Sequence, residues 1–361
     1  MWGATLNISQ FICLQAIHAF KGERSIAGVF HLLQGKRSAQ TIQDGHIYQS
    51  LYLFGTLSSW TKESFTEVVA LLEMEDFIVK QREEHFILAA QVTNEWNFIY
   101  ERYPSLHKLN GWKYKDVSLL FWKRMSLLVQ CVSQLAVNEK QFIPVTKDKR
   151  TLQWMKMYLS QRHDMKQLSK QLHEELRGIL LEVAPLEAEN FVRRLSGHNC
   201  YGLTNEQIAE GLGITTDDCY LLFMATLHHM LDTIESQREQ FRILSSFVPD
   251  ITKGVLTSSS ELTYKYLQQG FSIEEISIKR QLKRSTIEDH LIEIAIAKPT
   301  FSIGAFVAKE DEQLIAKVID QSSAIRLRHI KDQLPNHINY FMIRLVLAKR
   351  GFQDDVRRRT I

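Results

Sequence analysis

The sequence predicts a mainly α-helical protein of several domains, with one short β-hairpin. Two observations carry this. Only 6 prolines and 16 glycines interrupt 361 residues. The apolar residues recur mostly at intervals of three and four, as in Val68, Leu71, Leu72 and again Met125, Leu128, Val129, Val132, the rhythm of an amphipathic helix. The length corresponds to about two to three domains. Hydrophobic residues at 45% and charged residues at 24% are ordinary globular values, which excludes disordered, collagen-like and mucin-like chains. No apolar run approaches the roughly 18 residues of a membrane span. The patch Phe11 to Leu14 is broken by Gln15 and His18, and no basic residue precedes Lys21, so no secretory signal is expected. Four cysteines, Cys13, Cys131, Cys200 and Cys219, are too few for a disulfide framework, and a reducing, cytoplasmic compartment fits them.

Residues 1–95 read as a winged-helix-like domain. Residues 24–34 form an amphipathic helix ending before Gly35, and Lys36 to Thr41 a short polar link. Gln43 to Phe54 forms a second helix, and Thr61 to Glu73 a third. Phe77-Ile78-Val79 and His85 to Leu88 then flank Lys80 to Glu84 as the arms of a hairpin. Three helices and a hairpin are the parts of a winged helix, with Lys80 and Arg82 expected at the tip of the wing. A hairpin that merely seals the domain core has the same signature.

The net charge of +3 hides segregation along the chain. Residues 61–100 carry 3 basic and 8 acidic side chains, residues 101–170 carry 14 and 5, and residues 171–256 carry 6 and 13. A basic helical segment is therefore expected over 96–170. Its cations Lys108, Lys113, Lys115, Lys123, Arg124, Lys147, Lys149, Arg150 and Lys156 are interleaved with Tyr103, Trp112, Tyr114, Trp122 and Trp154. That mixture suits a phosphate backbone with stacking surfaces. It equally suits a solvated helical face whose aromatics are core.

Residues 171–250 read as a helical domain with a helix-turn-helix-like pair. Thr204 and Gln207 have capping-box spacing, and Gly213 fits the turn. The following helix opens with Asp217 and Asp218 and continues apolar through Phe223, so the pair is expected to be structural or partner-binding.

The sharpest pattern lies in 257–361. Gly270 stops a first helix where positive φ is needed. Ser272 and Glu275 make a capping box for a second, and Ile273, Ile276, Leu282, Ile287 and Leu291 supply a tri-helical core. The third helix begins near Arg284 to Thr286, with its first turn where a recognition helix meets a major groove. Glu288, Asp289 and Glu293 on that helix would repel a phosphate-lined groove. Backbone contact by Lys279, Arg280, Lys283, Arg284, Ser285 and Thr286 is therefore expected in place of base reading. Lys36, Arg37, Lys80 and Arg82 form a second candidate surface. Turn-forming residues cluster from Pro249 to Ser260, the expected joint.

The C-terminal third resembles the helicase helix-turn-helix domain family, attached to some RecQ-type DNA helicases and present in YpbB-like proteins of Firmicutes. The residues that carry the resemblance are Leu267 to Ile276, Ser285 to Leu291 and the tail Leu327 to Leu345. The string His31 to His46 resembles the YpbB-like proteins too. In layout the N-terminal part is also similar to the winged-helix domain that follows the motor in RecQ helicases. The resemblance implies an accessory DNA-binding protein of recombination and repair, working at the nucleoid, with DNA and a RecQ-type helicase as partners.

No enzyme is expected. The string from Gly28 to Gly35-Lys36 has the wrong spacing for a P-loop, and Arg37 stands where the metal-binding hydroxyl belongs. No His-Glu-x-x-His, paired Cys-x-x-Cys, Gly-x-Ser-x-Gly or Gly-x-Gly-x-x-Gly motif occurs. Cys200, Cys219, His228 and His229 have a spacing that fits no common zinc site. No cofactor, metal, membrane or small-molecule substrate is therefore expected. Two other functions fit the same hardware: a transcription regulator with a preferred duplex sequence, and a protein-only adaptor of the helicase.

Overall fold

The computed structural model describes residues 6–89, 92–162, 164–249, 256–321 and 327–350. They fold as helices with one two-stranded antiparallel hairpin. In chain order the first elements are α1 (Ile8–Phe20), α2 (Ile26–Gln34), α3 (Ala39–Ile47), α4 (Lys62–Met74), β1 (Ile78–Arg82) and β2 (His85–Leu88). The middle of the chain forms α5 (Thr93–Arg102), α6 (Gly111–Ala136), α7 (Lys149–Ser160) and α8 (Met165–Leu180). It continues as α9 (Pro185–Val192), α10 (Asn205–Leu212), α11 (Thr216–Ser236) and α12 (Arg242–Ser245). The last third forms α13 (Ser258–Gln268), α14 (Ile273–Arg280), α15 (Arg284–Ala297), α16 (Lys309–Gln321), α17 (Leu327–Asp332) and α18 (Tyr340–Arg350). Two compact units result: residues 1–12 with 90–251, and residues 13–89 with 252–361. Most of the segment 1–95 (residues 13–89) and the segment 257–361, recognised separately in the sequence, thus fall in one unit, while residues 1–12 and 90–95 belong to the other.

In the first unit α11 is the central rod, packed by α6, α9, α10 and the 3-10 turn Pro104–Lys108. Tyr103, Tyr114, Trp122 and Trp154 of the basic segment go inward. Trp122 meets Phe191 and Phe223 edge-on at 5.3 and 4.9 Å between ring centroids. Trp154 stacks on Tyr158 at 5.2 Å and meets Phe247 at 5.5 Å. Of the two readings of that segment, the structure chooses core for these aromatics. Several of its cations find partners in the acidic segment that follows, with Lys108 2.8 Å from Asp232 and Lys113 2.7 Å from Glu235. The capping box of Thr204 and the left-handed Gly213 (φ 65°) are both present. Asp218, read as a charge at the mouth of a helix, is instead buried. It accepts the Ser9 N–H at 2.8 Å at the start of α1, while burial pushes its carboxyl pKa up.

In the second unit the three helices and hairpin of the N-terminal part occur in the expected order, with three corrections. The second helix runs Ala39–Ile47 rather than from Gln43 to Phe54, because the Ser38 hydroxyl caps it by accepting the Thr41 N–H at 3.2 Å. Only a 3-10 turn, Leu51–Leu53, follows. Thr61 is the cap of α4 and not its first residue, in a box with Ser64. Lys80 and Arg82 are not at the wing tip: both lie within β1, opposite Phe86 and His85. The tip is Glu83-Glu84, and the Glu84 carbonyl accepts the Ile26 N–H at 2.7 Å.

The C-terminal helices close over this part. The helix α15 packs against α13, α14, α18 and also α3, and α18 packs on α3 as well. Seven successive residues of α3, Thr41 to Ile47, are buried in consequence. Arg344 of α18 donates to Gln43 of α3 at 2.6 Å and pairs with Asp289 of α15 at 2.7 Å. Among the described residues no helix is long and apolar enough to cross a membrane, and no group of three or more His, Cys, Asp or Glu is placed to hold a metal ion. Of the expected joint from Pro249 to Ser260, residues 250–255 lie outside the described residues.

Candidate nucleic-acid interface

The helix-turn-helix is assembled from local signals. Gly270 has φ 88° and an open surround, so it is the backbone angle and not space that calls for glycine. The Ser272 N–H donates to Glu275 at 2.8 Å while the Ser272 hydroxyl accepts the Glu275 N–H at 3.2 Å, which completes the capping box of α14. Ile273, Ile276, Ile287 and Leu291 are buried, as a tri-helical core requires, and Leu282 is half-buried. The turn into α15 reverses at Gln281, with φ 51°, and Lys283 is the N-cap residue.

Lys283 supplies no side-chain hydrogen bond to α15. The first turn of that 14-residue helix is therefore open at the N–H groups of Arg284 and Ser285, and the positive end of its dipole lies beside the Ser285 and Thr286 hydroxyls, while the Thr286 N–H donates to the Lys283 carbonyl at 2.9 Å. Lys283, Arg284 and Ser285 are exposed and Thr286 half-buried. Beyond this turn α15 offers only the half-buried Glu288, Asp289 and Ala297, since His290 to Ile296 are all buried.

The six candidate residues of this region divide by environment. Lys283, Ser285 and Thr286 form the open turn. Lys279 is exposed, with its ammonium 4.5 Å from the centroid of the Phe271 ring. Arg280 turns inward, donating to the Ser259 carbonyl at 2.8 Å, to the Ser259 hydroxyl at 2.9 Å and to the Thr263 hydroxyl. It ties α14 to α13, and with burial it holds the neighbouring His290 below the usual imidazole pKa. Arg284 is bracketed by Glu288, at 2.9 Å, and Glu274. The two carboxylates stabilise its charge and offset most of it toward an outside anion.

The acidic residues of α15 differ from expectation. Glu293 is buried and accepts from Thr257 N at 2.5 Å and the Ser260 hydroxyl at 2.6 Å, capping α13 from the neighbouring helix. Asp289 is engaged by Arg344 and Glu288 by Arg284. None of the three projects as a bare repelling charge.

The second candidate surface is more scattered. Lys36 is exposed after the left-handed Gly35, with its ammonium 3.5 Å from His31. Arg37 is half-buried. Lys80 and Arg82 are exposed on β1, and Arg82 reaches the Gly22 carbonyl at 3.4 Å. The helix α4, which stands where a winged helix presents its recognition helix, exposes Glu63, Glu67, Glu73, Leu71 and Met74. That face suits neither a groove nor a phosphate.

Sequence reasoning missed Arg344 and Glu293. Both look like surface charges by local pattern, and their partners lie up to 301 positions away.

A helix-turn-helix domain family model matches residues 259–347, which covers the open turn and the α17–α18 tail. Protein YpbB of Bacillus subtilis (strain 168) is 32% identical over 354 residues, covering 97% of this chain and 100% of that protein. No solved structure matches. A likeness of this extent, running through both units and the matched helix-turn-helix, places the chain in the YpbB family.

Proposed function

We propose that the chain is a non-enzymatic DNA-binding protein that grips the phosphate backbone through the open first turn of α15 and serves as accessory factor to a RecQ-type DNA helicase in recombination and repair. The observation that carries the DNA contact is the uncapped N-terminus of α15, with Lys279 and Lys283 beside it and Ser285 and Thr286 within it. Uncapped N–H groups at a helix start suit an anion. The buried remainder of α15 leaves little surface for reading base edges, so the contact carries little sequence preference. The helicase association, the place at the nucleoid and the cytoplasmic setting draw their support from the resemblance of the helix-turn-helix and its tail to the helicase-linked family.

The test is DNA binding of the full chain across salt. Replacing Lys279 and Lys283 together by alanine is expected to flatten the plot of log K against log salt by a slope of about 2, with the fold intact. An unchanged slope removes the turn from the interface. Selection from random duplexes is expected to return no strong consensus; a palindromic consensus would favour a transcription regulator. The acidic and apolar face of α4 favours a second reading, a protein-only adaptor. It predicts negligible DNA affinity at physiological salt together with a stable, nuclease-resistant complex with the helicase.

A further inference from the structure

We infer that the exposed face of α7 is a separate docking surface for the backbone of single-stranded DNA, outside the matched helix-turn-helix. The inference rests on the DNA-binding reading above, and it starts from how the fold sorts the cations of the basic segment. Lys108 and Lys113 are spent on Asp232 and Glu235. Arg124 lies over the Trp154 ring, 4.6 Å from its centroid, and donates to the Phe247 carbonyl at 3.1 Å. Lys147, Lys149, Arg150 and Lys156 are left on the surface, and none of their side chains has an ion pair among the described residues.

The helical repeat gathers Lys149, Arg150 and Lys156, and Lys147 lies two residues before the helix. Thr151, Met155 and Tyr158 bury one side of α7. Lys149, Gln153 and Lys156 run along the opposite side, with Arg150 and Met157 next to them. From Lys149 to Lys156 the helix rises about 10 Å, so these cations line one side of it over about two turns. The one acid in this stretch, Asp148, is occupied. It accepts the N–H groups of Arg150 and Thr151 at 3.0 and 3.3 Å and lies 3.6 Å from Lys123. The surface is thus a narrow basic stripe that its own protein does not neutralise.

Met157 decides between kinds of nucleic acid. It stands among the cations with 61% of its surface exposed. An apolar side chain there gains nothing from the hydrated backbone of a duplex, whereas an unpaired base offers it an apolar face.

The test uses the full chain and an oligothymidine of about 30 nucleotides, followed by fluorescence anisotropy across salt. Changing Lys147, Lys149, Arg150 and Lys156 to glutamine keeps good helix formers on exposed positions, so the thermal midpoint is expected to stay near wild type. A double variant, Lys149→Glu with Lys156→Glu, repeats the test with a smaller change. The quadruple variant is expected to lower the log–log salt slope for oligothymidine by about 3, at about 0.7 per lost contact. Affinity is expected to fall at least about tenfold at low salt. Wild-type affinity and slope in both variants overturn the inference. So does a loss confined to duplex DNA, to vesicles of anionic phospholipid or to an acidic protein. If the wild type ignores oligothymidine but binds duplex through Lys279 and Lys283, this inference alone falls. If it binds neither DNA, the reading it rests on falls too.

Discussion

At position 46 a histidine sits inside α3, with 6% of its surface exposed and its Nε2 3.2 Å from the Leu347 carbonyl. Burial drives its pKa down to about 4, only partly offset by the carbonyls of Leu347 and Ala348. An imidazole held neutral in the folded chain and free to protonate in the unfolded one makes the unfolded state bind more protons at low pH. Stability from this group is complete above its unfolded pKa of about 6.5 and is lost as the pH falls toward 4. Between pH 6.5 and 5 the loss is on the order of 1 to 2 kcal/mol. His46→Gln keeps an N–H donor and cannot titrate, so urea unfolding of the variant is expected to lack that part of the pH dependence. Equal pH profiles for the two proteins would remove His46 as the source. The same residue scale shows what sequence cannot reach. Arg280, Arg284, Asp289 and Glu293 are all charged residues near a turn, and the structure gives them four different jobs. Which job falls to which depends on partners brought in from α13, α14 and α18, and no local spacing encodes those.

Elements were far more legible, because caps and turns are local chemistry. The stop at Gly270, the Ser272–Glu275 box and the start of α15 at Arg284 follow from residues within one turn of each other. The same holds for Thr204, Gln207 and Gly213. The errors arose where two local signals compete. Ser38 lies in a polar stretch that resembles a link, yet its hydroxyl starts a helix. Lys80 to Arg82 resemble a hairpin turn, yet β1 runs through them with an irregularity between Lys80 and Arg82. Gly270 permits a test of how far a turn rests on backbone angle alone. A Cβ added there meets nothing within 4 Å, so Gly270→Ala is expected to cost about 1 kcal/mol from positive φ only. Gly270→Asn should cost less, since asparagine tolerates the left-handed region. Gly45→Ala is the contrast. Its φ is ordinary, but its Cβ would come within 2.7 Å of Leu51 Cδ2 and 3.0 Å of Leu32 Cδ1. Its cost is one of crowding, so the Asn variant there should be worse than Ala. Urea midpoints for the four variants separate the two mechanisms, and equal ranking at both sites would contradict this account.

On the scale of the whole molecule, the second unit is built from the two ends of the chain, residues 13–89 and 252–361, with the other unit's residues 90–251 inserted between them. Charge patterning along the sequence hinted at internal pairing of the basic and acidic middle segments. Nothing in it foretold that the N-terminal helices would share a core with the helix-turn-helix. The junction is specific: α3 is buried against α15 and α18, Gln43 accepts from Arg344, and His46 lies against Leu347. The matched residues 259–347 are therefore a sequence domain without being a complete folding unit. Expressed alone, residues 252–361 would expose the α3-facing sides of α15 and α18 and leave Arg344 without Gln43. Lost apolar burial and the two broken polar contacts, at about 1 kcal/mol each, are expected together to remove at least about 3 kcal/mol. The fragment should unfold at lower urea and with a broader transition than the second unit in the full chain. Adding residues 13–89 as a separate polypeptide should restore the midpoint and give a complex of one copy of each. Arg344→Met in the fragment 252–361 should weaken that complex, because it removes the hydrogen bond to Gln43 across the two chains. A fragment 252–361 that unfolds cooperatively at the midpoint of the full chain, indifferent to residues 13–89, would show that the helix-turn-helix stands alone and that its junction with α3 contributes nothing to it.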